Sequence, residues 1–439
     1  MITKLIDRLV ESSTFEKHVA ITFVTQLVKI TFSVATAAIV AQCLGPEGKG
    51  MLALALLIPG MLGFFLSGGI TVANVYFAGS QRLDVPTLVA NSIGFTLVMT
   101  ILGLGAVIGV ASTGWLEAVV PGVPVWILLL ATLGFPIVLL NGFFSTILQG
   151  LQRIGTVNLI NLIQSVLTLS LTLLFVIGWK LDLLGALLAS LASWGLSLIA
   201  WCITLRRHGA VLTPRWSYDV LRSTLSFGLR GYIGNVIQFF NYRIDMFILN
   251  YFLGPANVGI YTVSVKLAEL LWYLPNAVGF VIFPKAAATK PEDMNLFTPR
   301  VFRNTLALTA IAALCLAFMG RPAINFVFSS AFITAYPPLL ALLPGVVLLG
   351  GAKVLTNEIS GRGYPQYNSW NAALALVLTL VFDLLLIPRQ GALGAAIAST
   401  IAYTATFIAS ILFYLTVTRK DQNKHPKQLS KILKRRYLS

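Results

Sequence analysis

Charged side chains are scarce in this sequence: 10% of its 439 residues are Asp, Glu, Lys or Arg, where soluble domains carry roughly 25%. A chain so poor in charge and 57% hydrophobic has too little polar surface to cover itself in water. Histidine and cysteine are rarer still. His18, His208 and His425 are scattered, and Cys43, Cys202 and Cys315 lie in or at the ends of apolar runs without paired spacing. No disulfide framework and no metal site is expected from them. Nucleotide-driven chemistry is excluded on similar grounds, because Gly45-Pro46-Glu47-Gly48-Lys49-Gly50 lacks the spacing and the following Ser or Thr of a phosphate-binding loop. No cofactor is expected. A cleavable leader is not expected either: Lys4, Asp7, Arg8, Glu11, Glu16 and Lys17 precede an apolar run, His18 to Cys43, that is too long for a signal peptide.

What the chain has in quantity is long apolar runs, each able to cross a hydrocarbon core of about 30 Å as a helix. Turn signals divide them into twelve candidate spans: 18–43, 51–77, 86–110, 124–148, 156–178, 183–205, 223–252, 260–284, 301–320, 337–360, 368–388 and 391–417. Connections are short, and no soluble domain interrupts them. With the N-terminus in the cytoplasm, the inner segments and tail collect twenty-two Lys and Arg residues, against four (Lys49, Lys180, Arg321 and Arg389) on the opposite side. This is a strong positive-inside bias, with both termini cytoplasmic. It accounts for the formal net charge of +16 without nucleic acid as a partner. The basic tail is positioned to touch anionic lipid headgroups or simply to anchor the topology.

The sequence repeats itself. Leu44-Gly45-Pro46 recurs as Leu253-Gly254-Pro255, 209 positions later, and in that register Gly50 aligns with Gly259. At the same offset Gly185-Ala186-Leu187-Leu188-Ala189-Ser190 matches Gly394-Ala395-Ala396-Ile397-Ala398-Ser399. Two anchors at one offset point to a duplicated six-helix unit, its halves entering from the same side and related by an axis along the membrane normal. The expected fold is an all-α polytopic membrane protein of about twelve transmembrane helices in two pseudo-symmetric six-helix bundles. Its parts are a cytosolic segment 1–17, bundles 18–205 and 223–417, a cytosolic linker 206–222 and a basic tail 418–439. Two like bundles with short loops describe a transporter with its substrate path between them.

Ionisable residues in hydrocarbon are costly and usually face a bundle interior or a wet cavity. Lys29, Arg230, Arg243, Lys266 and Lys353 fall within spans, accompanied by Asp245, Glu269, Glu358 and Asp383. An excess of positive charge there calls for an anionic substrate. In the first span Thr22, Thr25, Gln26, Lys29, Ser33 and Thr36 share a ~100° arc. Ser67, Thr71 and Asn74 line the second span, and Arg230, Gly234, Gln238, Asn241 and Asp245 the seventh. Thr262, Lys266, Glu269, Tyr273 and Asn276 follow in the eighth. Facing one another, these stripes would line a chamber. Arg243 does not fit, since it sits about 220° around the helix from Arg230, unless Gly228, Gly231 and Gly234 bend the span. Other roles stand beside these: polar stripes glue helices, Lys266 can pair with Glu269 one turn on, and Asp245 serves as a proton or cation site or as counter-charge to Arg243. Arg230 and Lys353 can snorkel to headgroups, and Glu358 and Asp383, near span ends, read as structural.

These residues resemble the polysaccharide-transporter branch of the multidrug/oligosaccharidyl-lipid/polysaccharide flippase superfamily, the Wzx-type flippases. The likeness rests on Leu44-Gly45-Pro46-Glu47-Gly48, on Asp245 to Lys266 with Leu253-Gly254-Pro255, Val258-Gly259, Tyr261 and Lys266-Leu267, on Phe283-Pro284, and on the Gly-Ala-Ala-Ile-Ala-Ser pattern. The resemblance implies alternating access and a polyprenyl diphosphate carrying a short sugar chain, moved from the cytoplasmic to the outer leaflet for O-antigen, exopolysaccharide or capsule synthesis. It further implies a bacterial inner-membrane location, membrane lipids as partners, and polysaccharide polymerase machinery nearby. Basic positions in the first, seventh and eighth helices are typical of that family, and Lys29, Arg243 and Lys266 stand there in this sequence. With no nucleotide motif, a proton or Na+ gradient is expected to drive the cycle, with Asp245 or Glu269 titrating. Rival readings are a multidrug/cation antiporter, whose cavity would favour carboxylates over bases, and a lipid II flippase, which often carries two extra helices. A membrane enzyme is not expected, because the short outer loops hold Glu47, Glu117 and Asp182 singly and no histidine.

Overall fold

A computed structural model describes residues 14–214 and 217–424, and every extended element among them is helical. The segment before Thr14, Arg215 and the basic tail from His425 onward lie outside the described residues. In chain order the helices are α1 (Thr14–Phe65), α2 (Ile70–Gly79), α3 (Val85–Ser112), α4 (Trp115–Val119), α5 (Val125–Thr132), α6 (Phe135–Gly150) and α7 (Ile154–Thr172). There follow α8 (Asp182–Arg207), α9 (Tyr218–Asn241), α10 (Ile244–Glu269), α11 (Tyr273–Ala288), α12 (Pro291–Phe328), α13 (Tyr336–Gly361) and α14 (Gln366–Lys424).

Nine helical stretches among the described residues are long and apolar enough to cross a membrane. Three of them, Thr25–Phe65, Gly234–Ala287 and Gln366–Asp421, run for 41, 54 and 56 residues. At about 1.5 Å per residue each exceeds the hydrocarbon core by a factor of two or more. Each is also broken by a glycine in the left-handed region: Gly45, Gly254 and Gly391. Counting these as two passes apiece gives the twelve crossings expected from hydropathy.

The first two breaks have a local cause. Gly45 (φ 66°, ψ −174°) and Gly254 (φ 77°, ψ 176°) end one helix and precede a proline that opens the next. Only glycine takes that positive φ without strain. The extended ψ is what a residue before proline requires, and proline suits the first helical turn because its missing N–H needs no partner there. Positions 209 apart in sequence thus share one backbone conformation. The second span is also interrupted, at Gly68 and Gly69, between α1 and α2.

The chain separates into two compact units. The first comprises Met1–Tyr232, Gly254–Gly259 and Val327–Ser329. Its core is aromatic and aliphatic, with Ile70, Leu88, Phe135, Phe143, Phe144 and Trp201 closed to solvent. The second comprises Ile233–Leu253, Ile260–Phe326 and Ser330–Ser439. It is held by a smaller cluster of Ile282, Ala286, Met294 and Val354 and by buried hydrogen bonds between helices and between the two arms of α14 on either side of Gly391. Thr379 Oγ1 donates to Asn241 Oδ1 at 2.7 Å, Asn371 Nδ2 to Ser410 Oγ at 2.9 Å, and Thr400 Oγ1 to the Ala341 carbonyl at 2.6 Å. Such bonds replace, in hydrocarbon, the hydrophobic drive that packs helices in water. Large apolar side chains such as Ile101, Phe318 and Phe326 face outward, Phe326 at 87% exposure. In water that belt would promote aggregation; against lipid tails it is the favourable surface.

At the end of α13 a compact ionic cluster ties three helices of the second unit. Arg362 Nε donates to Glu358 at 2.6 Å, its Nη2 to Asn295 Oδ1 at 2.8 Å, and its Nη1 pairs with Asp421 at 3.3 Å. Thr298 and Tyr364 complete the ring by bonding Glu358 and Asp421. Glu358 therefore has the structural role read from its position near a span end.

Candidate functional site

The densest gathering of ionisable groups in the second unit forms where α9 gives way to α10. The helix breaks at Tyr242 and Arg243, and Arg243 takes a non-helical φ of −137° before α10 starts. The angle that set Arg243 apart from Arg230 assumed one continuous helix, so it does not apply; the bend comes at this junction rather than at the glycines upstream. Arg243 Nη1 then reaches both the Tyr242 carbonyl at 3.1 Å and Glu269 Oε1 at 3.2 Å. Glu269 on the far end of α10 is its hydrogen-bonded counter-charge, and Asp245 two residues along acts on the same guanidinium electrostatically.

Glu269 is shared. Lys266 lies one turn before it on α10, and both Lys266 and Arg243 are within its electrostatic reach. Lys353, from α13, also feels Glu269. Its ammonium sits 4.1 Å over the Trp272 ring and donates to Asn276 Oδ1 at 3.0 Å. An indole face attracts a cation that has given up part of its water. Trp272 is the hub of an aromatic wall, with ring centroids 5.2 Å from Tyr242 and 6.0 Å from Tyr403. Gln238 bonds the Tyr242 side chain. The face stays accessible: the Arg243 and Glu269 side chains are 30% and 31% exposed, and Tyr273 is exposed beside them.

Deeper in the same unit lies an acidic pair. Asp245 is buried, with Oδ1 accepting from the Met246 amide at 2.8 Å and Oδ2 from the Tyr261 hydroxyl at 2.6 Å. Tyr261 is in turn 3.4 Å from Ser399 Oγ. Asp383, from α14, is fully buried, and neither of its carboxylate oxygens has a hydrogen-bond partner. It is within electrostatic reach of Asp245. Asn241, placed by sequence on the same stripe, is buried and accepts the bond from Thr379.

The remaining expected positions fall in the first unit or outside what is described. Gln26 and Lys29 are half-buried and Ser33 is exposed on α1. Asn74 is fully buried on α2 and donates to Ser92 Oγ of α3 at 3.2 Å, so it joins two helices rather than facing a chamber. The Arg230 side chain lies outside the described residues. No group of three or more His, Cys, Asp or Glu suited to a metal ion occurs among the described residues.

The sequence pattern points to neither Trp272 nor Tyr403, and it places Asp383 near a span end among the structural residues. One signal was available for the last: Asp383 is the sole acid between Glu358 and Asp421, and an unpaired carboxylate in so long an apolar run warrants a functional reading. Nothing in the sequence pairs Trp272 with Lys353.

Comparison with known proteins adds to this geometry. The family described as "Polysaccharide biosynthesis protein" matches residues 15–290. A putative O-antigen transporter of Shigella flexneri is 23% identical over 374 residues, covering 82% of this chain and 88% of that protein. An uncharacterised membrane protein of Methanocaldococcus jannaschii is 27% identical over 206 residues; the match spans 45% of this chain and 40% of the archaeal protein's length. Among solved structures, the lipid II flippase MurJ in an inward closed conformation has a TM-score of 0.75 at 13% identity, covering 91% of this chain and 90% of MurJ. An inward-facing multidrug resistance MATE family transporter of the MOP superfamily has a TM-score of 0.74 at 16% identity, covering 90% and 96%. At such identities these two likenesses speak to fold.

Proposed function

We propose a function from one premise: the chain belongs to the polysaccharide biosynthesis protein family. On this reading it is a flippase that carries a polyprenyl-diphosphate-linked oligosaccharide from the cytoplasmic to the outer leaflet. It works by alternating access of two six-helix repeats, 18–205 and 223–417, in a bacterial inner membrane with both termini cytoplasmic. The observation that carries the reading is the balance of charge around Glu269, where Arg243, Lys266 and Lys353 outnumber Glu269 and the buried Asp245 that also acts on Arg243. A diphosphate cannot cross hydrocarbon unaided, and fixed cations beside an exposed polar face replace its water and counterions. Lys29, Arg230, Gln26 and Ser33 are assigned to the same path from sequence. The MATE-like fold would equally serve a cation antiporter, but a face on which cations outnumber carboxylates disfavours that class of substrate.

The test is a lipid-binding and transport experiment. Native mass spectrometry of the purified protein is expected to show a bound polyprenyl diphosphate, with affinity at least about tenfold weaker in a Lys266→Gln/Lys353→Gln variant, since charge-assisted hydrogen bonds contribute about 1.5–3 kcal/mol each. Failure of the unaltered protein to bind such a lipid supplied in excess would defeat the reading.

The energy source is assigned to an ion gradient, with Asp245 and Asp383 as the coupling pair. Two buried carboxylates within electrostatic reach of each other, with Arg243 acting on Asp245 while already paired with Glu269, call for a proton or a sodium ion. Glu269, engaged with Arg243, is withdrawn from that role. In proteoliposomes, Asp383→Asn is expected to reduce gradient-driven flipping to the level seen with no gradient. Transport by the unaltered protein that proceeds equally well without any gradient would remove this assignment.

A further inference from the structure

The flippase reading assigns the cations but leaves Glu269 unexplained, and a carboxylate is an odd component for a site that must hold an anion. Three observations bear on it. Glu269 makes its ion pair with Arg243 at 3.2 Å across a 26-residue separation, so the contact is built by the fold and not by helical neighbourhood. Both partners remain about 30% exposed, so a ligand can reach the pair without dismantling a core. Lys266 and Lys353 lie within electrostatic reach of the same carboxylate, and Lys353 is also held by Trp272 and Asn276. Three cations against Glu269 and the buried Asp245 that also acts on Arg243 leave a net positive site, which suits an anionic head group and not a neutral lipid.

We propose that Glu269 is a displaceable internal counterion: its carboxylate competes with the substrate's diphosphate for Arg243, weakening head-group binding so that the lipid can leave. A transporter must bind its cargo and then release it, and a site of uncompensated cations would hold a diphosphate too tightly to turn over. When the head group arrives, Arg243 exchanges one anionic partner for another, a step whose net energy is small because both partners are charged oxygens. The additional attraction comes from Lys266 and Lys353, which keep their own positions. When the head group leaves, Glu269 returns to Arg243, so no guanidinium is stranded at low dielectric. Glu269 is thereby a residue that sets affinity and release, and it is not a coupling-ion site.

This inference rests on the flippase reading, and the experiment separates the two. Farnesyl diphosphate and farnesyl monophosphate serve as probes, titrated against the full-length protein in nanodiscs, with flipping measured in parallel. In Glu269→Gln, which keeps the shape and removes the charge, affinity for the diphosphate is expected to rise roughly tenfold or more, and by a larger factor than for the monophosphate, because the repulsion removed scales with ligand charge. Flipping turnover is expected to fall several-fold. Glu269→Asp, which keeps the charge, should stay within about threefold of the unaltered protein in affinity. Binding by Glu269→Gln that is unchanged or weaker, or equal tightening in Glu269→Asp, would show that Glu269 only supports the local structure and would overturn the inference. Should the unaltered protein bind neither probe, the flippase reading itself falls.

Discussion

Replacing Arg362 by alanine is expected to lower the stability of the second unit by about 3–5 kcal/mol, the penalty typical of removing one partner from a buried ionic network. The Arg362 and Glu358 side chains are 3% and 0% exposed and Asp421 is 11% exposed, so the two carboxylates left behind have little water to take the guanidinium's place. Asn295 loses its bond to the same group, and one Glu358 oxygen already lacks a partner. The measurement is the unfolding midpoint of the purified protein in detergent. A companion variant, Glu358→Leu with Arg362→Leu, should lose less than Arg362→Ala alone, because a well-packed apolar pair often replaces a buried ion pair at little cost. A loss below about 1 kcal/mol in Arg362→Ala would mean that water enters the cluster and screens it.

Gly259→Ala should be the more damaging of two chemically identical changes. Within the first unit, segments 46–50 and 255–259 approach so closely that a Cβ at Gly259 would fall on the Pro46 carbonyl, and one at Gly50 on the Pro255 carbonyl. Both obstacles are backbone, so no rotamer change relieves them. Overpacking of this kind costs typically 1–3 kcal/mol and more where nothing can move, and we expect at least about 3 kcal/mol. Gly195→Ala provides the contrast: that position on α8 has nothing within 4 Å of a new Cβ, and a helix-interior Gly→Ala change should be neutral or stabilising by about 0.5–1 kcal/mol. Gly50→Ala and Gly259→Ala combined should be less harmful than the sum, since the first shift opens space for the second. Equal behaviour of Gly195→Ala and Gly259→Ala would disprove the close crossing.

Much of the architecture is legible in the amino-acid sequence. Val85–Ser112, Asp182–Arg207 and Tyr336–Gly361 lie within a few residues of the expected 86–110, 183–205 and 337–360. The Gly-Pro pairs at 45–46 and 254–255 also marked true helix breaks. These features depend on local chemistry, namely apolar length, the φ that only glycine tolerates and the N–H that proline lacks. Interruptions without such punctuation were missed. The break at Tyr242 and Arg243 has no Gly or Pro at its centre, so a helical wheel drawn through it gives no valid angle for Arg243.

The site divides along the same line. By itself the sequence determined that this is a polytopic membrane protein with excess basic charge inside its spans, because hydropathy and charge are sums over neighbouring residues. Only the tertiary structure decided who meets whom: Arg243 hydrogen-bonded to Glu269, Lys353 with Trp272 and Asn276, and Asp245 with Tyr261 beside a buried Asp383. Those partners lie 26, 77 and, for Tyr261 and Ser399, 138 positions apart. Helical periodicity reports which residues share a face of one helix, whereas the pairing of charges across helices follows from packing, where breaks and close crossings set which faces meet.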